Sequence, residues 1–172
     1  MTQRHQSASA VLASIREKLA SAQSARPQEI LDAIVAALSE GRGYTWTGIY
    51  LAVENLGVRQ ASSGSGPTPA SMSLDEVQAE IAVPIRLGAR TLGLIVAETG
   101  RFSSGAGRQE RVLLQQTAKL IAQYLTTDRA KQLLRKTREK ARTGATDVQP
   151  HKSPQSVRPA VRRAAAGERI SR

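Results

Sequence analysis

At 172 residues and 40% hydrophobic side chains, the chain can form one domain with a modest, aliphatic core, since Phe and Trp occur once each and Tyr three times. It has no cysteine, which excludes disulfides, thiol catalysis and thiolate metal sites; its two histidines, His5 and His151, stand near opposite ends and make a poor metal centre. The net charge of +11 is unevenly placed: residues 1–125 hold twelve Lys/Arg against ten Asp/Glu, residues 126–172 thirteen against four.

No apolar run approaches the ~18 to 20 residues of a membrane span, and the start MTQRHQSASA lacks a signal-peptide core, so a soluble cytoplasmic protein is expected. Residues 1–7 read as a flexible terminus. From Ala8 to about Gln23, Val11, Leu12, Ile15 and Leu19 recur at helical spacing, with Ser9 as the expected N-cap. A second helix starts at Pro27, carries Ile30, Leu31, Ile34, Val35 and Leu38 as its stripe, and stops at Gly41 or Gly43. Tyr44 to Val53 reads as a central strand, with Ile49, Leu51 and Val53 on one face and Trp46, Gly48, Tyr50 and Ala52 on the other.

A turn at Asn55 to Gly57 leads to a weak return strand, Val58 to Ser62, and then to an aperiodic Gly/Ser/Pro loop, Ser63 to Ser73. Gly64-Ser65-Gly66 does not enter a helix and is followed by Pro67, so it reads as a flexible link, not a phosphate cradle. Leu74-Asp75-Glu76 forms a further turn. The strongest local signal is AEIAVPIRLGARTLGLIVAET, from Ala79 to Thr99. Two β-branched runs flank a turn at Leu87 to Arg90, with Gly88 to take its positive φ. Ile81, Val83 and Ile85 share one face, while Glu80, Ala82 and Arg86 share the other.

Phe102 then sits in a short loop, and Ser103 or Ser104 is placed to cap a helix. Its broad apolar face holds Val112, Leu113, Leu114, Thr117, Leu120, Ile121, Tyr124 and Leu125. The periodicity weakens through DRAKQLLRKTREKAR, which is too polar for core and reads as a solvated extension or half of a short coiled coil. From Thr143 onward the aperiodic Pro/Ser/Ala/Arg composition reads as disordered. The expected organisation is thus 1–7, a domain over 8–125 with its core at 28–125, a helical extension at 126–142 and a basic tail at 143–172.

The order of these elements resembles a GAF domain over about Gln28 to Leu125. The motifs that carry the resemblance are WTGIYL at Trp46 to Leu51, AEIAVPI at Ala79 to Ile85, and LGLIVAET followed by Phe102. Within that superfamily they are most similar to the free methionine sulfoxide reductase branch. The resemblance implies an α+β fold, an antiparallel sheet with the N-terminal and long C-terminal helices packed on one face and a ligand pocket on the other. Ile49, Leu51, Val53, Ile81, Val83, Ile85, Ile95 and Ala97 would face the helices. The pocket face would carry Trp46, Tyr50, Glu80, Arg86, Val96 and Glu98. Of these, Trp46, Tyr50, Glu80 and Glu98 are the candidate ligand-binding residues, an aromatic wall with orienting charges.

Three departures change that expectation. The branch uses cysteines, absent here, so its reductase chemistry is not expected. Only about fifteen residues, Ser63 to Val77, replace a much longer lid, and Val96 stands where the pattern has an acid. The bland alternative is that Trp46 and Tyr50 fill a hydrophobic patch and that the glutamates are simply solvated or weakly paired with Arg86 or Arg90. The sequence therefore reads first as a non-catalytic, minimal GAF-like module acting through protein association, as a dimer or with another protein, and requiring no cofactor. Val11, Ile15, Leu120 and Tyr124 are its candidate association residues. A second reading is a small-metabolite sensor using the Trp46/Tyr50 face. The third is a nucleic-acid-associated protein with a nonspecific basic arm, using Arg129, Lys131, Arg135, Lys136, Arg138, Lys140, Arg142, Arg162 and Arg163; the plain alternative for the same residues is a solubilising tail or a tether to an acidic partner. No aromatic residue follows Tyr124, so that arm has no platform for base stacking.

Overall fold

The computed structural model describes residues 5–23, 25–66, 69–75, 77, 79–99 and 106–144. The loop and cap expected at Phe102, Ser103 and Ser104, the tail beyond Gly144, and Arg162 and Arg163 lie outside the described residues. Helices α1 (Ala8–Ala20) and α2 (Pro27–Arg42) precede strands β1 (Trp46–Val53), β2 (Leu56–Gly64), β3 (Ser71–Ser73), β4 (Ile81–Leu87) and β5 (Arg90–Glu98). Helices α3 (Ala106–Tyr124) and α4 (Asp128–Gly144) follow. The strands form one antiparallel sheet in the order β3-β2-β1-β5-β4.

The helix ends follow from local chemistry. Ser7, not Ser9, caps α1, its Oγ accepting from the Ala10 N–H at 3.2 Å; Ser9 lies one turn position too far into the helix to do so. Pro27 opens α2, and the Glu29 carboxylate reaches back to accept from the Arg26 N–H at 3.1 Å. Gly43 closes α2 in the left-handed region (φ 67°). Gly41 has another task, since a Cβ there would stand 2.6 Å from Val11 Cγ2; its absence lets α1 approach α2 closely.

One side of the sheet carries the main core. Ile49, Leu51, Ile81, Val83, Ile85, Ile95 and Ala97 pack with Ile30, Leu31, Ile34 and Leu38 of α2 and Leu113, Leu114 and Ile121 of α3. Val53, expected in this layer, is only half-buried because it ends β1. The helices lying on the strands are α2, over β1 and β2, and α3, over β4 and β5, while α1 packs across α2 and α3. The N-terminal helices and α3 thus share one side of the sheet, as the resemblance implies, with α2 and α3 on the strands and α1 packed over both.

Two further expectations change. Ser63 to Ser73 is not all loop, because β2 runs on to Gly64 and Ser71–Ser73 pairs with Leu56 to Val58. The C-terminal helix breaks at Thr126 and Thr127, and the Thr127 side chain starts α4 by accepting from Ala130 N at 3.4 Å. The segment expected to be too polar for core then docks: Ala130 and Thr137 are buried, with Leu133 and Leu134 packed against the main core. Val112, placed on the apolar face of α3 by its spacing, is 46% exposed, because Leu113 and Leu114 turn inward instead.

Candidate functional site

The opposite side of the sheet is built around the W-x-G-x-Y spacing of β1. Alternation puts Trp46, Gly48 and Tyr50 on that side, and the two rings meet edge to face, centroids 6.4 Å apart and planes at 64°. Gly48 makes the contact possible. A Cβ there would lie 2.9 Å from Trp46 Cζ2 and 2.9 Å from Tyr50 Cε2. Val96 pairs with Gly48 across the β1–β5 ladder and completes the layer together with Leu94.

Two bulges shape this face. One in β5 opposite Ile85 and Arg86 turns Leu92 to the helix side while Leu94 and Val96 stay with the aromatics. Gly93 lies at that bulge, where a Cβ would collide with the Tyr50 carbonyl oxygen at 2.1 Å. The other separates Ile49 and Tyr50 in their pairing with β2.

The face is covered by its own chain. Trp46 is 2% and Tyr50 0% exposed; Met72, Leu74, Val77 and Ala79 pack against their cluster, with Ala82 of β4 beside Val96 in the sheet. The Tyr50 hydroxyl donates to the Pro69 carbonyl at 3.1 Å, and burial pushes its pKa up. The cover is pinned at its far end by the Leu74 N–H on the Asn55 carbonyl at 3.0 Å and by Asn55 Nδ2 on Asp75 Oδ2 at 3.0 Å. Gly64 and Gly66, expected as a flexible link, instead serve close approach. Gly64 (φ 106°) abuts the Thr45 carbonyl, Ser65 N–H bonds that carbonyl at 2.9 Å, and Gly66 lies against Trp46.

The four candidate ligand residues thus divide. Trp46 and Tyr50 are joined in one buried cluster. Glu98, half-buried, stands opposite Trp46 in the ladder. Glu80 turns to the end of β5, where its carboxylate accepts from the Thr99 N–H and, at 3.0 Å, from the Thr99 hydroxyl. Neither glutamate forms an ion pair with Arg86 or Arg90 among the described residues. The Trp46 Nε1–H is buried and without a hydrogen-bond partner among the described residues, although buried polar groups ordinarily find one.

The candidate association residues also divide. Val11 and Ile15 are buried inside the chain's own core, between α1 and the other helices. Leu120, half-buried, and Tyr124 line a shallow groove of about 280 Å³ between α1 and α3, with Arg16 and Leu19 on its other wall. Arg129, Lys131, Arg135, Lys136, Arg138, Lys140 and Arg142 all lie exposed on α4. Lys131 is tied to Asp128 at 2.8 Å.

Sequence reasoning missed a buried polar network beneath α1. Glu110 of α3 accepts from Arg42 Nε at 3.1 and 3.2 Å to its two oxygens, from Arg42 Nη2, and from the Tyr44 hydroxyl, while Arg42 Nη1 donates to the Gln6 carbonyl at 2.5 Å. Desolvation and the Glu110 carboxylate push the Tyr44 phenol far above its usual range, and the hydrogen bond to Glu110 raises Arg42. Tyr44 and Arg42 stand 66 and 68 residues before Glu110 in sequence, and charge alone marks none of them for burial.

The five-strand antiparallel sheet with its helices packed on one side has the GAF-like fold. Solved structures with this fold include the nlh2 GAF domain of A. aeolicus in an inactive state, with 13% identity and a TM-score of 0.59 over 69% of this chain and 94% of that one. The free methionine-R-sulfoxide reductase of Neisseria meningitidis, in complex with its substrate, is 16% identical with a TM-score of 0.54 over 77% and 99%. The GAF domain of a phosphoenolpyruvate-protein phosphotransferase from Coxiella burnetii is 17% identical with a TM-score of 0.52 over 74% and 99%. No family model and no curated protein matches the sequence. Among the described residues, no helix is long and apolar enough to cross a membrane.

Proposed function

We propose that this chain is a non-catalytic GAF-like regulatory module of the cytoplasm that works by protein association, with 8–125 as the domain, 126–142 as a helical extension whose inward stripe docks on it, and 143–172 as a basic tail. One observation carries the reading: the sheet face opposite the helices is filled by Trp46, Tyr50, Leu94 and Val96 under a cover of the chain's own side chains. A domain whose aromatic face is packed over by its own described side chains passes on its signal through its surface. The α1–α3 groove with Leu120 and Tyr124 is the surface offered to a second copy, while Val11 and Ile15, buried in the chain's own core, are not part of it. Light scattering on the full chain tests this. A dimer is expected at high concentration, reduced to monomer by Leu120→Asp in a variant that circular dichroism shows still folded; a strict monomer contradicts it.

Two observations favour other readings. The orphaned Trp46 Nε1–H favours a small-metabolite sensor, since a ligand acceptor entering beside it would satisfy a buried donor. The exposed cations of α4 favour a nonspecific nucleic-acid arm, whose binding would fall steeply with salt and with the exposed charge changes Arg135→Glu and Lys136→Glu.

A further inference from the structure

Strand β4 is an edge of the sheet, bonded to β5 on one side only. Backbone groups on its outer side have no ladder partner, which makes an edge strand a template for another extended chain. Beside it runs α3, and between them lies a groove of about 260 Å³ lined by Ala82, Pro84 and Arg86 of the strand and Arg111, Gln115 and Lys119 of the helix. Its charge is one-sided: three cations and no carboxylate line it. None of the three has an ion-pair partner among the described residues. The strand and the helix each also carry exposed apolar surface. Of the three large hydrophobic side chains exposed among the described residues, Leu87 (46%) ends β4 and Val112 (46%) stands beside Arg111 on α3.

We propose that the β4 edge receives an extended acidic segment of a partner protein, added as a sixth strand, its carboxylates on Arg86, Arg111 and Lys119. The proposal rests on the association reading above and gives it a partner class at a second surface. Charge decides against the alternatives. A second copy of β4 would bring two sets of the same cations together, which destabilises a cross-strand pair. A nucleic acid would find phosphate contacts but no aromatic side chain among the residues lining the groove on which to stack a base. Seven strand residues accommodate about 23 Å of extended partner. Pro84 offers no amide donor, so backbone pairing is incomplete and the charges carry much of the recognition. Binding of this kind is salt-sensitive.

The test is fluorescence anisotropy of the full chain with a labelled heptapeptide of alternating valine and glutamate. Saturable binding is expected, weakened about tenfold by the surface change Arg111→Glu with Lys119→Glu. The corresponding change on α4, Arg138→Glu with Lys140→Glu, should leave it unaltered. A backbone N-methylated peptide of the same sequence should bind more weakly, and amide exchange should slow within residues 81–87. No binding at low salt, equal binding of the N-methylated peptide or of a single-stranded oligonucleotide, or insensitivity to the α3 change would each overturn the proposal. If the peptide fails while light scattering shows a dimer, the edge assignment falls and the association reading stands. Peptide binding by a strict monomer would remove the α1–α3 interface and keep the edge.

Discussion

Gly48 shows how one residue governs a face. Its missing Cβ is what allows Trp46 and Tyr50, two positions apart on either side, to touch over the strand. Gly48→Ala places a methyl 2.9 Å from both rings in a layer already covered, and overpacking of this kind costs about 1–3 kcal/mol. A lower denaturation midpoint is expected, with Trp46 emission moved to longer wavelength as the cover loosens; unchanged stability and emission would mean the rings part freely. The motif was legible in the sequence because strand parity alone puts the three residues on one side. Its cover was not. Met72, Leu74 and Val77 lie in a stretch without periodicity, and only the pairing of β3 with β2 brings them over the aromatics.

At the scale of elements, the β4–β5 hairpin was readable from alternation and from Gly88, which takes φ 59° at the turn. α4 was not, since its inward side is a thin stripe of Ala130, Leu133, Leu134 and Thr137 between exposed cations. Such a stripe becomes core only when a break at Thr127 turns the helix back on the domain. Burial of Glu110 was hidden for a related reason, because its partners arrive from the end of α2 and the approach to β1. The network joins α2, α3 and the segment before α1. Glu110→Gln leaves the Arg42 guanidinium partly buried without its counter-charge, and breaking such a pair costs about 3 kcal/mol. Tyr44→Phe, which removes one donor and keeps the pair, should cost about 1 kcal/mol. Urea unfolding of both variants measures the difference; equal, small losses would show that the pair contributes little.

The only three tyrosines, Tyr44, Tyr50 and Tyr124, all have phenols raised by burial. A raised phenol stays protonated in the fold while the unfolded chain ionises, so its stabilising effect is whole below about pH 10 and is lost as pH rises beyond. Equilibrium unfolding from pH 7 to 12 should show a decline that starts near pH 10 and is shallower in Tyr44→Phe. An unaltered decline in that variant would assign it to other groups.

The filled sheet face is the central claim, and Trp46, the only tryptophan, reports on it directly. The measurement is Trp46 fluorescence and the thermal midpoint of the full chain against free amino acids, methionine sulfoxide, cyclic nucleotides and nucleotides. Blue-shifted emission that no compound alters, with an unmoved midpoint, is the predicted result. A saturable spectral change, with a midpoint raised by the ~2.7 kcal/mol that a ligand at about 100 times its dissociation constant supplies, would contradict it. The chain would then be a sensor whose pocket opens at the orphaned indole N–H.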